Sequence, residues 1–375
     1  MYNETAFHYG NAEGMTMSQL RVGVVGLGQG MSHLRSFQAL PDCRVAAICD
    51  RKDELRARVA AEQGIERSYA ELDEFLADDG IDVVVIATPD HLHGGHVRLA
   101  LEAGKHVLSE IPMATTIDDC RQIIAITDRT GLKYQMGNQV RYAHCLQDVA
   151  RLLAAGDLGE PFYGEGEYLH ALADGIWNKE ERHWRITGSQ PQTTLLGGGP
   201  HALDTLRWLM GVTFTKTSAF HSMQQTDYGT THNTVAIFQA ASGATAKVTV
   251  SYAMARPYCL YFSVYGTEGS FERTRQQGEP GGLTTNYLYH NKLSGSEQMI
   301  PVTLPNWANP HAAKNFSLGH GTMEYEQARA FVDAIRADRE PPLGPREAAA
   351  SIVPLICALQ SADQGGGLIE IPDLS

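Results

Sequence analysis

Six residues, Gly26-Leu27-Gly28-Gln29-Gly30-Met31, stand between a β-branched run (Leu20 to Val25) and apolar residues at helical spacing, Met31, Leu34, Phe37 and Leu40. Strand, glycine turn and helix in that order make a cradle for a diphosphate. Gly26 permits the tight turn and Gly28 lets the backbone approach the pyrophosphate. Gln29, Gly30 and Met31 open a helix whose N–H groups and positive dipole end face the anion. The third fingerprint position is Met31, where glycine or alanine is usual, and this predicts looser packing of helix on strand. Asp50 ends the next strand run, 22 residues after Gly28. A carboxylate there accepts a ribose 2′-OH and repels a 2′-phosphate. The expected cofactor is NAD rather than NADP, a preference softened by the adjacent cations Arg51 and Lys52.

Moving a hydride from a carbinol carbon also requires an acceptor for the hydroxyl proton, usually a group titrating near neutral pH. His201 is the leading candidate. It lies in Gly197-Gly198-Gly199-Pro200-His201-Ala202-Leu203-Asp204, where glycines allow close approach and Asp204 follows one helical turn on. Asp204 is expected to orient the imidazole or stabilise its cation. The alternative is a helix start that His201 caps, with Asp204 on the surface. Further along the charge and ring chemistry, Trp177 to Arg185 places Trp177 and Trp184 beside Arg182 and Arg185. Aromatic faces next to cations suit a sugar, which has apolar C–H faces and polar edges; the other reading is a subunit interface, where Trp and Arg also concentrate. His91, His93 and His96 have spacings that fit no zinc set, so no metal is expected.

The elements that must position these residues follow from periodicity. At about 150 residues per domain, 375 residues make two domains or three. In the first half, strand runs (Leu20 to Val25, Val45 to Cys49, Val83 to Ala87, Val107 to Leu108, Lys133 to Gly137) alternate with helical patterns, which means βαβ units and a parallel sheet. Thr116 with Asp119 caps one of these helices and Gly131 ends it; Ser68 with Glu71 fits a capping box before another. Beyond about residue 160 the runs alternate, with Ser242-Gly243 as a hairpin turn, and the sheet reads as largely antiparallel. The expected organisation is an α/β chain: a flexible leader over 1–19, a dinucleotide-binding Rossmann domain over 20–140, and an α/β substrate and assembly domain over 141–375.

Composition narrows the class. The net charge of −13 disfavours nucleic acid, and no apolar stretch is long enough to cross a membrane. The N-terminus lacks a secretory pattern and the six cysteines form no C-x-x-C pair, so buried thiols in a cytoplasmic protein are expected.

TPDHLHGGH (88–96), GKHVLSEIP (104–112), GNQVRY (137–142), GGGPHALD (197–204) and YGTEGSF (265–271) follow the glycine turn in order. The set resembles the glucose–fructose oxidoreductase / inositol dehydrogenase (Gfo/Idh/MocA) family from about residue 20 to 373. The resemblance implies a Rossmann domain followed by a domain with a large open, mostly antiparallel sheet. It implies NAD(H) or NADP(H) and redox chemistry at a secondary alcohol of a sugar or cyclitol. It also implies homodimers or homotetramers built on the exposed sheet face. It places Thr88, Pro89, His93, Glu110 and Asn138 at the cofactor, with His93 on the nicotinamide side. Arg141 and Tyr142 fall in the substrate-facing segment, Tyr142 as a second candidate base, and His201 matches an H-x-x-D histidine; the other readings are a structural ion pair for Arg141 and a packed aromatic at the domain junction for Tyr142. The family's Glu-Lys-Pro reads Glu110-Ile111-Pro112 here. The lysine that anchors the reacting hydroxyl is absent, and isoleucine has no ionisable group. The expected activity is NAD-dependent oxidation of a sugar or polyol hydroxyl. The alternatives are a redox glycoside hydrolase or lyase that recycles its NAD, as in one divergent branch of the family, and a cofactor-binding protein without chemistry.

Overall fold

The computed structural model describes residues 18–170, 184–185, 190, 192–222, 233–252, 254, 256, 258–273, 286–290, 300–302 and 323–374. Most of the expected leader, and Trp177, lie outside them. The first sheet holds β1 (Leu20–Val25), β2 (Cys43–Cys49), β3 (Arg67–Tyr69), β4 (Val83–Ile86), β5 (His106–Glu110) and β6 (Tyr134–Gly137), in the order β3-β2-β1-β4-β5-β6. All its pairings are parallel. β4 is Val-Val-Val-Ile and wholly buried, because helices cover both faces and leave no side for polar residues. The connecting helices are α1 (Gly30–Gln38), α2 (Asp53–Gln63), α3 (Leu72–Leu76), α4 (Asp90–Glu102) and α5 (Ile117–Thr130). The Thr116 hydroxyl accepts from Asp119 N–H at the start of α5, and Gly131 closes it with φ +71°. Ser68 makes no capping box; it sits in β3, and α3 starts without a side-chain cap.

The strand order reverses between β1 and β4, and ligands bind at the C-terminal edge beside such a reversal. There Gly26 has φ +87°, and an added Cβ would lie 2.5 Å from the Ala87 carbonyl oxygen. The expected loose packing at Met31 is not found. Helix α1 begins one residue earlier, and Gly30 makes the close contact, its would-be Cβ lying 2.9 Å from Val24 Cγ1. Met31 is half-buried and packs against the apolar cluster of Leu34 and Phe37.

After a single 3₁₀ turn (Gln139–Tyr142) and α6 (His144–Ala154), the chain builds a nine-stranded sheet. Its strands are β7 (Pro161–Leu169), β8 (Phe214–Ser222), β9 (Asn233–Ala240), β10 (Thr245–Ser251), β11 (Cys259–Gly266), β12 (Gly269–Arg273), β13 (Asn286–His290), β14 (Ile300–Val302) and β15 (Ile369–Glu370). Their order is β14-β13-β12-β11-β7-β10-β9-β8-β15. Among the described strands of this second sheet, only β7 and β10 pair in parallel. Helix α7 (Thr194–Met210) covers one face. Two late helices return to the first half. In α8 (Met323–Arg336), Ala328, Phe331 and Val332 join the core of Val22, Val24 and Phe37, so this stretch belongs with the first sheet rather than with the second half where the division at residue 140 would put it. Helix α9 (Pro345–Asp363) packs on both α5 and α7 and ties the two halves together.

The turn at Gly26 generates a direct test. Gly26→Ala should lower stability by about 1–3 kcal/mol, from the positive φ and the Ala87 clash together. Urea unfolding reads it; an unchanged midpoint would show that the turn relaxes freely.

Candidate active site

One cleft of about 1100 Å³ runs along the C-terminal edge of the first sheet and onto the second. Of the residues singled out in the sequence, Gly26, Gly28, Gln29, Asp50, Arg51, Thr88, Pro89, His93, Glu110, Trp184 and His201 line it, whereas Gly30 and Met31 do not. These residues come from six separate stretches of chain: the parallel sheet gathers those up to Glu110, and Trp184 and His201 are added by the second half. The glycine loop fits a dinucleotide on a simple observation: a Cβ added at Gly28 would meet nothing within 4 Å, so the loop is open on the side where a pyrophosphate would approach. At the end of β2, Asp50 accepts the Leu27 N–H (2.8 Å) and the Lys52 N–H (2.9 Å), which fixes its carboxylate and the loop together. Each oxygen keeps a second lone pair for a ribose hydroxyl. Arg51 and Lys52 line the same end.

His93 braces two loops. Its Nδ1 lies 2.8 Å from the Pro112 carbonyl oxygen and its Nε2 lies 2.6 Å from that of Thr88. His96 faces the Thr88 hydroxyl, and burial, aided by the neighbouring His93 and His91, brings its pKa down to about 4. No group of His, Cys, Asp or Glu that could hold a metal occurs among the described residues.

His201 is not a helix start. It lies inside α7, whose N-cap is Thr193. Its Nδ1 is 3.0 Å from Asn138 Oδ1, an oxygen that also accepts the Val140 N–H. The Asn138 amide in turn donates to Asp204 Oδ2 at 2.7 Å. Asp204 therefore reaches the imidazole through Asn138 instead of touching it, and it is buried, not on the surface. Asn138, expected at the cofactor, is fully buried and serves as the link.

Arg141 and Tyr142 take their structural rather than their substrate-facing readings, and neither lines the cleft. Arg141 is buried and grips both Asp204 oxygens (2.7 and 2.6 Å) while lying over the Trp208 ring. A buried carboxylate demands such a partner more strongly than a substrate could. Burial alone would raise the pKa of Asp204, but the Arg141 charge, with Arg207 and Ser351, holds it below the usual range. Tyr142 is buried with an unpartnered hydroxyl, and burial pushes its pKa up, opposite to the lowering that a base there would need. Its neighbour Gln139 lines the cleft instead.

The structure adds residues that the sequence reading passed over. Tyr168, on β7, stacks on His201 with ring centres 5.4 Å apart. Tyr258 meets both Tyr168 and His170 edge-on, and all three line the cleft. No local signal in the sequence sets these three apart, because the second sheet brings them together from either side of a long separation. Arg185 lies over the Trp184 ring and donates to Gln192, which donates to Asp90. Burial raises the pKa of Asp90 against the pull of Arg185 and His93.

A doubly wound sheet with an open glycine turn and a carboxylate at the end of its second strand defines a dinucleotide-binding fold joined here to an open-sheet domain. Residues 20–138 match the family model described as "Oxidoreductase family, NAD-binding Rossmann fold", and residues 146–272 match the GFO/IDH/MocA C-terminal domain. The chain belongs to the GFO/IDH/MocA family of NAD-binding oxidoreductases. It is 25% identical over 400 aligned residues to glycosyl hydrolase family 109 protein 1 of Shewanella sp. (strain MR-4), covering 96% of this chain and 86% of that one. Its fold is that of an oxidoreductase domain protein from Kribbella flavida (TM-score 0.83, 19% identity, 95% of this chain and 100% of that one). It is equally that of a levoglucosan dehydrogenase in complex with NADH and levoglucosan (TM-score 0.81, 21% identity, 95% and 100%).

Two expected outcomes follow from this geometry. Asp204→Asn leaves buried Arg141 with only the half-exposed Glu347, 3.7 Å away, as counter-charge and should cost about 3–5 kcal/mol. Because the folded carboxylate has a depressed pKa, its stabilisation is present above the unfolded value and lost as pH falls through the folded one. The variant should therefore also lose that acid-range dependence in urea unfolding; an unaltered pH profile would contradict the assignment. Asp50→Ala should narrow any preference for NADH over NADPH by about 1–3 kcal/mol in calorimetry. Equal binding of the two by the parent protein would refute the role given to Asp50.

Proposed function

We propose that this protein uses NAD to oxidise a secondary hydroxyl of a sugar, sugar derivative or cyclitol, with His201 as the proton acceptor. The observation that carries the reading is the hydrogen-bond order at His201. Asp204 accepts only, so the Asn138 NH₂ turns to it and the Asn138 oxygen turns to His201. The neutral imidazole then carries its hydrogen on Nδ1 and its lone pair on Nε2. Bound NAD supplies the hydride acceptor. His201 Nε2 takes the hydroxyl proton as the hydride leaves, and the imidazolium is steadied through Asn138 by Asp204. Tyr168, Tyr258 and Trp184 offer ring faces to the C–H side of a sugar. Ile111 lines the cleft as an apolar wall and moves no proton. The complex of a levoglucosan dehydrogenase with its sugar, on the same fold, supports a carbohydrate in this place.

A second reading is favoured by Ile111 together with the relatives named glycosyl hydrolase family 109. Oxidation of a ring hydroxyl would acidify the neighbouring C–H; a base would take that proton, the glycosidic leaving group would depart, and after water adds, the hydride would return. NAD is then recycled within each turnover. His170, beside Tyr258 in the cleft, is a second imidazole for such proton transfers. Assembly as a homodimer or homotetramer is supported by Phe220 and Ile237, which are exposed on the open sheet. A reducing, cytoplasmic setting is supported by six buried thiols.

Free sugars, cyclitols and aryl glycosides incubated with enzyme and NAD, with NADH absorbance and aglycone release followed together, test the proposal. NADH should accumulate on a free sugar or cyclitol. Many turnovers of aglycone release without net NADH would overturn net oxidation and favour the second reading. His201→Ala should lower turnover roughly 10²–10⁴-fold with little change in NAD affinity; normal rates would place the base elsewhere.

A further inference from the structure

At the end of β5 the cleft has a charged floor. Glu110 lines the cleft, and its Oε1 lies 2.7 Å from Nε2 of His33 on α1. The other oxygen, Oε2, accepts the Ile111 N–H at 3.3 Å. His33 is 1% exposed and its Nδ1 has no hydrogen-bond partner. Glu324, at the start of α8, is buried, lines the same cleft, and acts on His33 with a second negative field. Burial alone would push the His33 pKa down, yet the two carboxylates raise it; burial alone would push Glu110 up, yet His33, with His201 and His93, brings it down. The 2.7 Å contact sets the carboxylate on the cleft side and the imidazole behind it. Position 111, next in the chain, adds no cation.

Asp50 fixes the adenosine end of a dinucleotide at β2 and the glycine loop takes the pyrophosphate. The nicotinamide half of a dinucleotide held in this way would extend toward the ends of β4 and β5, where Glu110 lines the cleft. The oxidised ring carries a positive charge and the reduced ring none. A carboxylate fixed in a low-dielectric wall acts on that difference.

We propose that Glu110, aimed and held by His33, makes the site select the oxidised over the reduced dinucleotide, so that the protein at rest keeps NAD⁺ and sheds NADH. His33 is a positioning residue in this scheme, since it acts through Glu110. The inference depends on NAD binding and not on which sugar reaction follows.

The test is calorimetric, on protein stripped of nucleotide, with NAD⁺, NADH and ADP-ribose, which lacks the nicotinamide. The parent protein should bind NAD⁺ more tightly than NADH. Glu110→Gln should reduce that ratio about tenfold, chiefly by weakening NAD⁺, with ADP-ribose affinity unchanged. Glu110→Asp keeps the charge and should retain most of the preference, and His33→Asn should lose part of it. A parent protein that binds NADH as tightly as NAD⁺ overturns the proposal before any variant is made. So does a Glu110→Gln variant with an unchanged ratio, or one that loses all three ligands equally, which would mark Glu110 as structural only.

Discussion

A single buried carboxylate organises the site. Asp204 sits with no solvent exposure in the middle of α7, and an ion in that position is tolerated only with a full set of donors. Arg141 gives two hydrogen bonds, Asn138 one and Ser351 one. Asn138 and Arg141 follow the last strand of the first sheet, and Ser351 comes from α9. Three parts of the chain, far apart in sequence, are therefore drawn to one point where the two halves meet. The same demand sets the chemistry. An acceptor-only partner dictates which way the Asn138 amide faces, and the amide dictates which nitrogen of His201 holds hydrogen.

The cleft is built on the same economy of acceptors and donors. At the adenosine end, Asp50 ties down the glycine loop and still presents lone pairs. At the far end, Glu110 and His33 form a buried pair under an uncharged Ile111. Between them, His93 staples the loops that follow β4 and β5. The aromatic rings on and beside β7 close the opposite wall. His201 belongs to that wall, with the Tyr168 ring stacked on it.

Local signals in the sequence were enough for the first sheet apart from its short edge strand β3, and for the glycine turn with Asp50 at the end of β2, because each depends on residues near one another in the chain. The Thr116 cap and the Gly131 stop are legible for the same reason. Partners joined across long separations were not. Asp204 with Arg141 spans 63 residues, and His33 with Glu110 spans 77. A charged residue at helical spacing from a histidine reads as its orienter, whereas the fold gives that carboxylate to a buried arginine. Gly30 took the packing role assigned to position 31 because α1 begins one residue early. The return of α8 to the first core was hidden because its apolar stripe fits any sheet.

The account rests on His201 presenting the Nε2 lone pair, and imidazole ¹⁵N–¹H correlation spectra of histidine-labelled protein read this directly. The His201 ring should show a protonated, pyrrole-type Nδ1 and a pyridine-type Nε2 at neutral pH, and Asn138→Ala should abolish that fixed assignment. A His201 ring with its hydrogen on Nε2, or one averaging between tautomers in the parent protein, would contradict the Asp204–Asn138–His201 arrangement and with it the proton path.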